Sequence, residues 1–222
     1  MLIDDLAADL DTFGLRLRGG FRPSAGDGVP PLQDGRPAGT VLMVGNAGPA
    51  MWERFSEQRP AGRSLLDEWT RDVLTGVATR FGADAVYPFQ RPFMPFQRWL
   101  LRSEACHVSP LQILIHPEYG LWHALRGALL FAEGISPPET AKLPSPCASC
   151  SGRPCLGACP VAAFSGAVSG VQGCLNHLAD PAGEDCMALG CRARRACPVG
   201  AGYHYSPAQA RFHTEAFCWT FR

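Results

Sequence analysis

Eight of the ten cysteines in this 222-residue chain fall between residues 147 and 197: Cys147, Cys150, Cys155, Cys159, Cys174, Cys186, Cys191 and Cys197. A thiolate is a soft, electron-rich ligand, and closely spaced thiolates can each take one iron of a cube while the chain between them turns as a tight loop. The chemistry that these residue types and this spacing support is the binding of 4Fe-4S clusters. Cys159 and Cys197 are each followed directly by proline, Pro160 and Pro198, and each closes a short-spaced group.

In two-cluster ferredoxins the cysteine before proline ligates the other cube, so two motifs exchange their last ligands. Applied here, the first cluster takes Cys147, Cys150, Cys155 and Cys197, and the second takes Cys174, Cys186, Cys191 and Cys159. The spacings are wider than the bacterial C-x2-C-x2-C-x3-C-P. The first motif reads C-x2-C-x4-C-x3-C-P; the second has Cys174, a gap of eleven residues, then C-x4-C-x5-C-P. Structural zinc is a competing chemistry for cysteine quartets, but it does not account for two Cys-Pro closures. A disulfide framework belongs to small secreted domains, and this chain opens with Asp4, Asp5, Asp9 and Asp11 where a secretion signal would be basic. Cys106 and Cys218 lie outside the motifs.

Stepping outward from the cysteines, the length suits one larger domain and a small cysteine-rich module. Residues 133–146 carry four prolines, a stiff extended linker between the two. The expected domains are therefore 1–138 and 139–222. Formal net charge is zero, with 20 basic and 20 acidic residues, so no basic field invites nucleic acid. No apolar run reaches the roughly eighteen residues of a membrane span, and a soluble protein of the reducing cytoplasm is expected. The dense run Arg192, Arg194, Arg195 lies between cluster ligands, where it would offset thiolate charge or dock a redox partner protein as electron donor.

In the first domain, Leu2, Ile3, Leu6, Leu10 and Phe13 stand at helical spacing. Residues 15–18 alternate like a half-buried strand, and 19–39 read as a surface loop. TVLMVG at 40–45 has the form of a buried central strand, running into a turn and a helix that starts near Pro49. A longer helix is expected from an N-cap at Ser64, with Leu65, Leu66, Trp69, Val73, Val77 and Phe81 on its buried face and Gly82 as its stop. Strand 85–89 and a helix near Pro95 follow. Residues 109–131 read as two apolar strands joined by a turn at Pro117–Gly120, with His116, Trp122, His123 and Arg126 beside it. In the module, Ser206 and Pro207 open a last helix, with Phe212, Ala216 and Phe217 facing inward. Strands and helices mix in the first domain and short helices and loops fill the module, which makes the fold class α+β: a two-layer domain followed by a ferredoxin-like module.

TVLMVGNAGPAMWERF and IHPEYGLWHALRGALLFAEGI resemble the cobalamin-processing family that removes upper ligands from vitamin derivatives, over about residues 13–138. The resemblance implies a nitroreductase-like fold, a corrinoid cofactor, and reduced flavin in some members, so cobalamin or FMN is the further cofactor expected. On matching positions it implies that His116, Gly120, Trp122 and Arg126 bind that cofactor. The layout of such a domain before two clusters is similar to epoxyqueuosine reductases and reductive dehalogenases. With the sequence running to Arg222, the C-terminal repeats of the tRNA-modifying reductases are not expected. The functional expectation is an iron–sulfur oxidoreductase whose clusters relay electrons to a corrinoid in the first domain. A flavin reductase using the same pocket and a non-catalytic electron carrier are the alternatives.

Overall fold

The structure, a computed structural model, describes residues 2–58, 66–141, 143–164 and 170–221. Two compact units divide the chain: Met1–Ala105 with His123–Leu143, and Cys106–Trp122 with Pro144–Arg222. The division differs from a cut at 138/139 chiefly in residues 106–122, which belong with the cysteines. Leu111, Ile115 and Leu121 from that segment share one apolar cluster with Ala193 and Cys197, and this packing assigns it.

The elements in chain order are α1 (Leu2–Asp11), β1 (Arg16–Phe21), β2 (Thr40–Ala47), α2 (Ala50–Gln58), α3 (Leu66–Phe81), β3 (Asp84–Val86), α4 (Phe96–Ser103), β4 (His107–Val108), β5 (Leu114–Ile115) and β6 (His123–Phe131). In the first unit β1-β2-β6-β3 form one sheet, every neighbour antiparallel. The continuous apolar run at 40–47 makes β2 an inner strand, buried along its whole length. Val41 and Met43 join Ala128 and Leu130 of β6 and Phe96 and Trp99 of α4 in one core cluster. Leu42 and Val44 alternate to the opposite face and are equally without exposure. That face meets α3, where Leu74 reaches the backbone of Gly127. The sheet is thus covered on both faces, not on the single face that a two-layer arrangement implies.

Two local expectations are corrected. The strands of 109–131 do not pair with each other: β5 pairs with β4, and β6 joins the main sheet between β2 and β3. Only one bridge, His116 to Gly120, closes the turn. The apolar run of β6 pairs at eight positions with β2 and at three with β3, while Leu114–Ile115 offers two residues. On α3 the buried face is Leu66, Thr70, Leu74, Val77 and Ala78. Trp69 instead donates its indole N–H to Gln58 at 2.7 Å. Ser64 and Leu65 lie outside the described residues.

The second unit continues with α5 (Pro154–Gly157), α6 (Gly170–Ala179), α7 (Glu184–Leu189), α8 (Arg192–Arg195) and α9 (Pro207–Thr220). Ser206 caps α9, its hydroxyl accepting from the Gln209 N–H, and Pro207 occupies the first turn. The buried residues of α9 are Gln209, Ala210 and Cys218, with Phe217 partly buried beside them. No described helix is long and apolar enough to cross a membrane.

One charged pair holds the C-terminal end of α4 to β1. The fully buried Arg18 donates from Nε and Nη2 to Glu104, at 2.8 and 2.5 Å, and Glu104 is 11% exposed. Removing one partner of such a pair leaves a charge in a dry site. Arg18→Met is expected to lower unfolding free energy by about 3 kcal/mol in urea denaturation.

Candidate functional site

The second unit gathers the eight motif cysteines into two sets. A cavity of about 20 Å³ is lined by Cys147, Cys150, Cys155 and Cys197, with Ile115 and Pro110 beneath them. A larger cavity of about 590 Å³ is lined by Cys159, Cys174, Cys186 and Cys191. Each set takes three cysteines from one motif and the Cys-Pro cysteine from the other. All ten cysteines are unpaired by disulfides.

Electrostatics draw the same two sets. Burial pushes the Cys197 thiol up, and the other thiols whose charge adds to this are Cys155, Cys147 and Cys150. Burial pushes Cys174 up to about 11, and the contributing thiols are Cys191, Cys159, Cys186 and Cys218. Cys147 and Cys191 are likewise raised, burial first. These are thiols in places that disfavour an uncompensated negative charge, which a bound cation would reverse.

Backbone N–H groups already point at several sulfurs. The Ala163 N–H donates to Cys159 Sγ at 3.3 Å. The Ala193 and Arg194 N–H groups serve Cys191, and that of Val199 serves Cys197. Such bonds favour the thiolate form and would tune the potential of a cluster held there.

Local structure explains how irregular spacings reach these positions. Cys174 sits on α6 and Cys186 on α7, and the two helices are joined through the short turn Pro181–Gly183, which is capped by the Asp180 carboxylate accepting from Ala182 N–H at 2.9 Å. Gly183 lies so close to α6 that an added Cβ would stand 1.9 Å from the His177 carbonyl oxygen. Asp185 on α7 accepts from Arg192 of α8 at 2.6 Å and also from Arg195, and those guanidiniums hold its carboxyl below the usual range. This clamp sets Cys186 beside Cys191 and engages two of the three arginines within the unit. The third, Arg194, donates to the Leu121 carbonyl at 3.0 Å and lies 4.5 Å over both Trp122 and Tyr205.

The four residues expected to bind an organic cofactor are divided. His116, Gly120 and Trp122 belong to the cysteine-rich unit and Arg126 to the other. His116 Nδ1 accepts from the backbone N–H groups of Glu118 and Tyr119, and its ring stacks on Tyr119 at 4.2 Å, so it organises the turn. Gly120 has φ +57°, and a Cβ there would lie 2.0 Å from the Val199 carbonyl oxygen. The turn therefore seats closely on the backbone that follows Cys197-Pro198. Neither His116 nor Gly120 lines a cysteine cavity, whereas Trp122 lines the larger one. Its buried indole Nε1 and the His177 Nε2 have no hydrogen-bond partner among the described residues.

In the first unit Arg126 is 9% exposed and donates from Nε to Asn46 Oδ1 at 2.9 Å. The β2–β6 register shifts between Val44 and Gly45, so Arg126 stands at a bulge, a device that re-aims a side chain. Burial raises the Asp67 carboxyl, with the charge of Arg126 acting against the rise. The cysteine spacing picks out the eight cysteines that line the two cavities. It missed the apolar seat at Leu111, Ile115 and Leu121, and the nearness of Cys218 to the second set.

No protein-family profile matches the chain, and no curated protein sequence matches it. Solved structures do. Epoxyqueuosine reductase from Streptococcus thermophilus is similar at 14% identity, with a TM-score of 0.53 over 93% of this chain and 68% of that one. The C. elegans B12-trafficking protein CblC is similar at 13% identity, with a TM-score of 0.53 over 96% of this chain and 91% of that one. At these identities the likeness is one of fold, a mixed arrangement of helices and strands shared with both.

His204 packs on Trp122 at 4.3 Å, and burial, then the charges of Arg194 and Arg195, depress its basicity. A depressed histidine binds its proton more readily when unfolded, so stability is present above the unfolded value and lost as pH falls below about 6.5. His204→Gln is expected to flatten the fall in melting temperature between pH 7 and pH 5.5, measured by a thermal scan at each pH.

Proposed function

We propose that the protein is an iron–sulfur redox protein whose two cysteine quartets each hold a 4Fe-4S cluster, forming a ferredoxin-like module in the same chain as a nitroreductase-like unit. The observation that carries the reading is the exchange: Cys197 sits with Cys147, Cys150 and Cys155, and Cys159 sits with Cys174, Cys186 and Cys191. A two-cluster ferredoxin makes that exchange, and zinc sites have no need of it.

The residues fit the group. Each set offers four thiols and no carboxylate, the donor chemistry of a cube. Among the described residues, no three histidine, cysteine or acidic side chains are grouped as a site for a single metal ion. A cube spreads its four thiolates over four corners, consistent with sulfurs that line a cavity. When bound, such a cluster takes up and releases single electrons. The chain's own part is to hold the thiolates, direct N–H groups at their sulfurs, and cover the first set with apolar side chains.

For the first unit we propose a corrinoid as the electron acceptor, or a substrate that depends on one. Support comes from the fold shared with a B12-trafficking protein and with a reductase, and from the buried Arg126–Asn46 pair at a bulge beside the raised Asp67. A redox protein of the reducing cytoplasm would supply the electrons. Anaerobically purified protein is expected to contain about eight iron and eight acid-labile sulfide per chain. Stoichiometric zinc without sulfide would contradict the cluster reading. Hydroxocobalamin and FMN titrations followed by absorbance test the acceptor: the corrinoid should bind, and Arg126→Ala should weaken it at unchanged iron content.

A further inference from the structure

The two quartets leave different room beside them. The cavity at Cys147, Cys150, Cys155 and Cys197 is about 20 Å³, whereas that at Cys159, Cys174, Cys186 and Cys191 is about 590 Å³, and all of its lining belongs to the second unit. The larger one falls within the roughly 300–1,000 Å³ of pockets that take small organic molecules. Its solvent-facing rim includes Ile113, Val161 and Val171, three exposed apolar side chains. Trp122 and Tyr205, both buried, line it as well and stand edge to face at 5.4 Å.

The polar groups of that lining select a class of ligand. No described acidic side chain lines the cavity, and both lining arginines are engaged: Arg192 donates to Asp185 at 2.6 Å, and Arg194 to the Leu121 carbonyl at 3.0 Å. Four thiolates and a cluster bring negative charge, which the Arg194 guanidinium offsets in part, so a second anion beside them is disfavoured. Trp122, 2% exposed, has an indole N–H without a hydrogen-bond partner among the described residues, and the His177 Nε2 likewise has none. A buried N–H of this kind is best satisfied by an oxygen that accepts a hydrogen bond without carrying a charge.

We propose that the second cavity holds, beside its quartet, a neutral planar carbonyl compound of the quinone class. The inference rests on the cluster reading of that quartet. The ring packs against Trp122 and Tyr205, entry is past Ile113, Val161 and Val171, and one carbonyl oxygen accepts from the Trp122 N–H. The first quartet, with its cavity of about 20 Å³, offers no such place.

The test titrates duroquinone, whose fully methylated ring has no open carbon for thiol addition, into the anaerobically purified full chain. Binding is followed by isothermal calorimetry, and iron and acid-labile sulfide are counted in the same samples. Saturable binding is expected, with mesitylenesulfonate, a methylated ring that carries an anion, at least about tenfold weaker. Trp122→Phe keeps a ring and removes the N–H; Val171→Glu places a charge at an exposed rim position in the first turn of α6. Each is expected to weaken duroquinone binding about tenfold at unchanged iron content. Absence of saturable binding to iron-loaded protein overturns the inference, as does binding that either iron-loaded variant leaves unchanged or that the sulfonate equals. Wild type without iron and sulfide is the separate failure of the cluster reading, and the inference falls with it.

Discussion

The second unit depends on a crossing of cysteines between its two motifs. Cys159 leaves the first cysteine motif to stand with Cys174, Cys186 and Cys191, while Cys197 leaves the second to stand with Cys147, Cys150 and Cys155. Neither set is complete within its own stretch of chain, so each can form only if residues 147–159 and 174–197 fold against each other. The proline after each crossing cysteine stiffens the chain as it turns away. The cysteines are also core: Cys186, Cys197 and Cys218 are buried and pack with Leu175, Leu178, Leu111 and Ile115. A bound metal would therefore contribute folding free energy directly, as in other small metal-centred modules.

That crossing explains the role of residues 106–122. Leu111, Ile115 and Leu121 supply the buried aliphatic surface against which Cys147, Cys155, Cys159, Cys191 and Cys197 pack. The turn at His116–Gly120 is fixed by Nδ1 of His116 accepting two backbone N–H groups, and it meets the backbone at Val199 and Gly200 with no room for a Cβ on either side. Arg194 then ties Leu121 and Trp122 to Tyr205. His116 and Gly120 thus hold the turn, Trp122 lines the larger cavity, and Arg126, four residues beyond it, pairs with Asn46 in the other unit.

Much of this was legible in the sequence, for identifiable reasons. The continuous apolar run of β2, the i, i+4 leucines of α1 and the Ser206-Pro207 cap are local signals, and each formed the element they indicate. The Cys-Pro closures pointed to the two sets of four because each closing cysteine stands with the other motif's three. What periodicity does not encode is the partner. The run at 109–131 contains two strands, but their lengths decide that β6 completes the large sheet while β5 turns to β4. The α3 face was misplaced because Val73 and Leu74 are adjacent apolar residues, and packing selects Leu74. Cys218 carries no motif at all, and only the packing of α9 on α7 brings it to Cys186.

The central claim is the exchange, and the most direct measurement is the electron paramagnetic resonance spectrum of the reduced protein in single-cysteine variants. Cys147→Ala and Cys174→Ala identify the signals of the two sites. If the motifs exchange ligands, Cys159→Ala removes or alters the signal lost in Cys174→Ala, and Cys197→Ala that lost in Cys147→Ala. If Cys159→Ala instead affects the Cys147 signal and leaves the other intact, each motif keeps its own cysteines and the account is wrong.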